Sequence, residues 1–392
     1  MTTLATLLPE LIELICECLA NYVLEDWEFG SITRNENYIE YLSRYVVGLP
    51  LIHSRWTVPG QKALYGFVIL PTANRYKRFQ QSLTAFPHNG FYVRGIALHR
   101  GGLDLADLGG PYPNGCFVYT EIIGWSIHEM EIQQLVRLCP FLECFHPGVN
   151  VPVISQEEIA ALGNIDSIRA ITWRAADFEQ YGDAINRAQS GWLRLETIEI
   201  LGEMRKGDFQ YIQAVSERLR TLKIHDHHPD LTSHLESWSL DNLVELDLST
   251  TDPLMPNMTR IFEICGSNLV ALTIPYPYEG RLDILDTVVS FTPRLRHLRI
   301  VVFLSGAWNQ PPLWLPVQYR FTQNQSTKFG TWSSKSLRSV RFDFRGNSPF
   351  QNILPKSFNF VFDSFMRADA FPNLRKILKV DPRKLLAVLK ET

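Results

Sequence analysis

Apolar and polar residues along this chain follow two alternating rhythms. From about residue 93 a six-residue phrase recurs with apolar side chains at its first, fourth and sixth positions. It reads "LETIEI" from Leu195, "LRTLKI" from Leu219, "LVELDL" from Leu243, "LVALTI" from Leu269 and "LRHLRI" from Leu295, with steps of 24, 24, 26 and 26 residues. Weaker copies begin at Val93, Leu142, Ile168, Leu337 and Leu374. The alternation predicts a short strand in each copy, with positions 4 and 6 turned inward and positions 3 and 5 on the other face. Between the phrases the spacing becomes helical, as in "FQYIQAVSERL" and "MTRIFEIC", and Ser155 with Glu158 in "SQEEIAAL" fits a capping box at a helix start. Strand-then-helix units of this length bury their apolar faces only by stacking on one another, which predicts a curved parallel sheet with helices on its convex side.

The first seventy residues follow a different pattern. On a helix, the glutamates of "LLPELIELICECL" fall on one narrow stripe. Leu8, Leu11, Ile12, Ile15, Cys18 and Leu19 spread over about half the circumference, wider than the ~100° stripe of a helix with one buried face. That width predicts a helix packed on its own domain on one side and on a second surface on the other. Pro9 suits a first helical turn, where no N–H is needed. "YLSRYVVGLPLIHSRWTVPGQKALYGFVIL" predicts a helix carrying Leu49, Leu51, Ile52 and Trp56, a break at Pro59-Gly60, a short helix through Leu64 and Tyr65, and then a strand. The charged, turn-rich stretch at about 21–48 predicts a loop between the helical pieces.

Composition narrows the function classes. Among 392 residues, hydrophobic side chains make up 45% and charged ones 20%, which fits a chain with a sizeable core. Thirty-eight basic residues against 41 acidic ones argue against a general nucleic-acid binder, which needs a basic excess. The six cysteines form no paired framework and predict reduced thiols in the cytoplasm or nucleus. The apolar opening has no basic n-region and is interrupted by glutamates, unlike a signal peptide, and no stretch reaches the ~18 apolar residues of a membrane span.

Candidate chemistry is sparse. His225, His227, His228 and His234 cluster in "HDHHPDLTSHLESW", but a polar loop is expected after a repeat strand, so no metal site is assigned. Cys139 and Cys144 lack a second pair of ligands. The glycines of "GGLDLADLGG" are not followed by Gly-Lys-Ser/Thr, and no G-x-S-x-G elbow occurs. No catalytic residue and no cofactor is expected. Positions 3 and 5 of the phrases read Thr197/Glu199, Thr221/Lys223, Glu245/Asp247, Ala271/Thr273, His297/Arg299 and Ser339/Arg341, an acidic zone giving way to a basic one. The stretch 303–334 lengthens one repeat to 42 residues and carries Trp308, Trp314 and Trp332. Aromatic and arginine side chains together are enriched in interface hot spots, so His297, Arg299, Arg341 and these tryptophans are the candidate substrate-binding residues.

The two N-terminal pieces resemble an F-box. Leu7, Glu10, Leu11, Ile12, Ile15 and Leu19 match that family's opening helix, and "LPLIHSRWTVPGQKALYGFVIL" is similar to its second segment. The W-x-x-P-x-Q-x-x-L-Y spacing is most like that of mushroom-type fungal F-box proteins. The family's second-position proline is Leu8 here, with proline at position 9, and the loop at 21–48 is an insertion. The later phrases resemble leucine-rich repeats. Glu203, His227, Thr251, Pro277 and Phe303 stand where that family carries its asparagine or cysteine ladder, which predicts an irregular solenoid. The implied architecture is α/β: a helical F-box over 1–70, then a repeat solenoid over 71–392. The resemblance implies a non-catalytic substrate receptor of a Skp–cullin–F-box ubiquitin ligase. Leu7, Leu8, Pro9, Leu11, Ile12, Ile15, Leu19, Ile52 and Trp56 would face the Skp-type adaptor, and the repeats would hold a protein substrate. The other reading is a repeat scaffold whose F-box is vestigial and binds no adaptor.

Overall fold

A computed structural model describes residues 9–16, 54–70, 73–98, 132–147, 154–202, 204–224, 235–248, 258–276, 283–303, 333–345, 369–374 and 376–380, with single positions at 231, 361, 365 and 366. Leu7, Leu8, Leu19, Ile52, Trp308, Trp314, Trp332 and the histidine cluster at 225–234 lie outside the described residues. The chain forms two compact units, Met1–Leu195 and Glu196–Thr392. This division falls inside the phrase "LETIEI".

In the first unit residues 9–16 are helical (α1). A 3-10 turn at Ser54–Trp56 leads into helix α2, Thr57–Gly66. The helix runs through Pro59 and Gly60, correcting the expected break. Pro59 sits in the first turn, where backbone N–H groups have no intrahelical acceptor, so its ring removes no hydrogen bond. At Phe67 the backbone turns extended and strand β1, Phe67–Leu70, begins at once. Strands β2 (Gly95–Leu98), β3 (Cys144–His146) and β4 (Ala170–Arg174) follow, each parallel to its predecessor in chain order. Helix α3, Gln156–Gly163, opens on the expected capping box: Ser155 N donates to Glu158 Oε2 at 2.8 Å and Glu158 N to Ser155 Oγ at 3.3 Å. Helix α4, Ala175–Gly191, begins on a buried ion pair between Arg174 Nη2 and Asp177 Oδ1 at 2.6 Å. The indoles of Trp173 and Trp192 stack with centroids 6.2 Å apart, and Trp192 Nε1 donates to the Leu162 carbonyl.

The second unit carries seven described strands: β5 (Thr197–Leu201), β6 (Thr221–Ile224), β7 (Glu245–Asp247), β8 (Ala271–Pro275), β9 (His297–Phe303), β10 (Ser339–Arg345) and β11 (Lys376–Val380). All neighbouring pairs are parallel and in chain order. Helices Met258–Cys265 and Asp283–Phe291 lie between strands, as the periodicity predicts. Ile198, Leu222, Leu246, Leu272, Leu298 and Val340 line up across six strands, and none is more than 2% exposed. Each such side chain contributes roughly 1.5 to 3 kcal/mol of burial.

The register is pinned by a recurring backbone motif. The carbonyl at phrase position 2 accepts two N–H groups from the next repeat. Glu196 O takes Arg220 and Thr221, Arg220 O takes Val244 and Glu245, Val244 O takes Val270 and Ala271, and Val270 O takes Arg296 and His297. The first unit repeats it at Arg94 O and Glu143 O.

Candidate functional site

Two surfaces emerge, one in each unit. In the first unit, α1 has two apolar edges. Ile12 and Cys16, one turn apart, are fully packed at 0% and 1% exposure. Leu11, Leu14 and Ile15, spaced as one helix face, are 44%, 53% and 36% exposed. Pro9 is also exposed. Glu13 Oε1 meets Lys62 Nζ of α2 at 2.7 Å, which joins the two helices at the surface. Val58 at the start of α2 is 52% exposed.

Of the residues expected to face an adaptor, Ile12 and Trp56 are therefore corrected. Both are buried, Trp56 at 2%, and both serve the interior of their own unit. A sequence reading cannot separate the two edges of a helix that is apolar over half its circumference. Leu14 was missed for that reason, although its three-residue spacing from Leu11 places it on the same face. Burial also raises the Cys16 thiol pKa, with Glu13 adding to the effect. Cys139 and Cys265 are pushed up to about 12 by burial, so these thiols stay protonated at neutral pH.

In the second unit, phrase position 5 forms a packed row. Glu199, Lys223, Asp247, Thr273 and Arg299 are all buried at 4–8% exposure, and Arg341 is half-buried. Each is flanked by its register neighbour on the next strand, about 4.8 Å away, so the side chains shield one another. Glu199, Lys223 and Asp247 alternate in sign along this row. Arg299 belongs to this packed row and is corrected as an exposed contact residue. His297, at position 3, is exposed and shares a 2.8 Å hydrogen bond between Nδ1 and Ser339 Oγ. Its pKa is lowered by burial first, then by the charges of Arg296 and Arg338.

Those two arginines mark what the sequence reading missed. Arg294, Arg296, Lys335 and Arg338, with Val270, Pro293, Ser336 and Asn373, line a cleft of about 540 Å³. Arg338 N donates to Arg296 O at 2.8 Å, so the two residues sit side by side on adjacent repeats. All four cations precede the strands, within two residues of the first leucine of the phrase, and the 42-residue step between repeats hides their proximity in sequence. The clue available was basic residues at the same phrase positions of two successive repeats.

No protein-family model matches the chain, and no curated protein matches it in sequence.

Proposed function

We propose that the chain is a substrate receptor of a Skp–cullin–F-box type ubiquitin ligase, working in the cytoplasm or nucleus. The observation that carries this reading is the outward row of Leu11, Leu14 and Ile15 on a helix whose other edge, Ile12 and Cys16, is already packed. Such a row has apolar area to bury against a partner, and each leucine buried there is worth roughly 1.5 to 3 kcal/mol. The resemblance of this helix to an F-box supplies the identity of the partner, a small Skp-type adaptor. The repeats of the second unit would hold the substrate, with His297 and Arg341 as its accessible basic contacts and an acidic segment as the complementary ligand. Ligase chemistry would reside in other subunits, and no cofactor enters this reading.

The test is size-exclusion chromatography of the purified chain mixed with a Skp-type adaptor. A one-to-one complex at micromolar concentration is expected. The Leu11→Asp/Leu14→Asp variant is expected to lose it while unfolding at the wild-type temperature, because burying an unpaired carboxylate costs more than the leucine gave. Absence of a wild-type complex would refute adaptor docking and leave a repeat scaffold that binds partners without it.

A further inference from the structure

The cleft before β9 and β10 has a chemistry that the ligase reading does not use. Arg294, Arg296, Lys335 and Arg338 face one volume of about 540 Å³. No carboxylate among the described residues forms an ion pair with any of the four. Arg294 is held by a 3.2 Å bond from Nη1 to Asn268 Oδ1, an acceptor without charge. The segment carrying Lys335 and Arg338 is held as well: Leu337 N and Ser336 Oγ both engage Ser334 Oγ, Ser334 N donates to Ala370 O, and Asn373 Nδ2 donates to Lys335 O. The cations are thus mounted on two adjacent repeats, with Asn268 and Asn373 of the flanking repeats holding them, and their charge is not neutralised locally. Beside the cleft, the His297 pKa is lowered by burial first and then by the charges of Arg296 and Arg338.

We propose that this cleft binds an anion carrying two or more adjoining phosphoryl groups. Four cations exceed what one carboxylate neutralises, whereas a phosphoryl group carries about −1.5 to −2 charge, so two of them match the site. Three guanidinium forks supply the planar, paired donors that phosphate oxygens accept. The volume lies within the ~300 to 1,000 Å³ of small-ligand sites. Among the described residues no aromatic side chain lines the cleft to stack a base, which disfavours a single-stranded nucleic acid. The phosphoryl groups can come from a doubly phosphorylated segment of a partner protein or from a free polyphosphate. The proposal does not rest on adaptor docking and stands or falls separately from it.

Calorimetric titration of the full chain tests it, using inorganic tripolyphosphate, a peptide with two adjacent phosphoserines, the same peptide unphosphorylated, sodium sulfate, and a short single-stranded oligonucleotide. Both phosphate probes are expected to bind, with sulfate and the unphosphorylated peptide at least about tenfold weaker. Added salt should weaken binding, since the cations are exposed. Arg296→Gln/Arg338→Gln should lose about 30-fold or more in affinity at an unchanged melting temperature. If that variant does not fold, Arg294→Gln/Lys335→Gln takes its place. Tighter binding of the phosphopeptide assigns the site to a protein partner, and tighter binding of tripolyphosphate to a free anion. The proposal is overturned if neither phosphate probe binds, if a folded variant binds like wild type, if sulfate binds equally well, or if the oligonucleotide binds more tightly than both.

Discussion

The side-chain amide of Asn242 donates to the backbone carbonyl of Glu217, 2.8 Å away and one repeat earlier. Asn268 makes the equivalent bond to Asp241 O at 2.9 Å, and Asn373 to Lys335 O at 2.6 Å. In each case asparagine immediately precedes the first leucine of its phrase. The polar ladder that the consensus position lacks is therefore present elsewhere, at the outer turn between repeats. A net hydrogen bond is worth about 1 kcal/mol, so Asn242→Ala and Asn268→Ala should each lower unfolding free energy by about that much. Asn242→Asp should lose as much, since a carboxylate cannot donate. Urea titration measures both, and a change below a few tenths of a kcal/mol would show the ladder to be incidental.

The two edges of α1 should respond differently to truncation. Ile12→Ala leaves a hole in a packed site and is expected to cost about 2 to 5 kcal/mol. Leu14→Ser removes an exposed side chain and should change stability by no more than about 0.5 kcal/mol. Thermal unfolding of the isolated chain distinguishes them, and equal losses would mean that the outer edge is also packed.

Glycine replacements separate a close approach from a permissive turn. A Cβ on Gly90 would overlap the Leu138 carbonyl, a backbone atom that cannot step aside, whereas one on Gly66 would meet nothing within 4 Å. Gly90→Ala should destabilise the first unit by several kcal/mol. Gly66→Ala, at the last residue of α2, should stabilise it by about 0.4 to 1 kcal/mol by restricting the unfolded chain. Paired denaturation curves with the reverse ranking would contradict this geometry.

His297 should titrate below the ordinary imidazole value of 6.5, because burial and the nearby Arg296 and Arg338 disfavour its cation. The unfolded chain then binds the proton more readily than the folded one. The stability contribution is full above the unfolded value and declines as pH falls from there toward the lowered folded value. An NMR titration of the ring checks the midpoint. Arg296→Gln/Arg338→Gln should raise that midpoint only in part, as burial is the larger cause. A wild-type midpoint at or above 6.5 would exclude the effect.

The repeats were legible because their signal is period-two alternation repeated at a nearly fixed step, and all six first leucines from Leu195 to Leu337 are buried. Ser155 and Glu158 were legible for the same reason: one local spacing dictates one geometry. Other features depend on contacts across the sequence. The burial of Lys223 and Asp247 comes from neighbours about one repeat away, the cleft from residues on either side of a long insert, and the orientation of Ile12 from what packs against α1. Pro59 misled by its identity, since its effect depends on where in a helical turn it falls.

The carbonyl that accepts two N–H groups has a consequence for how such a chain tolerates change. Arg296 O takes Arg338 N at 2.8 Å and Ser339 N at 3.0 Å across a step of 42 residues, the same distances that Val270 O keeps across a step of 26. Each strand is thus positioned by the one before it and not by the length of the intervening segment. Alignment is reset at every repeat, and a gain or loss of residues in one connection does not accumulate down the stack. A chain built this way can lengthen a single connection into a new surface while every later strand keeps its place.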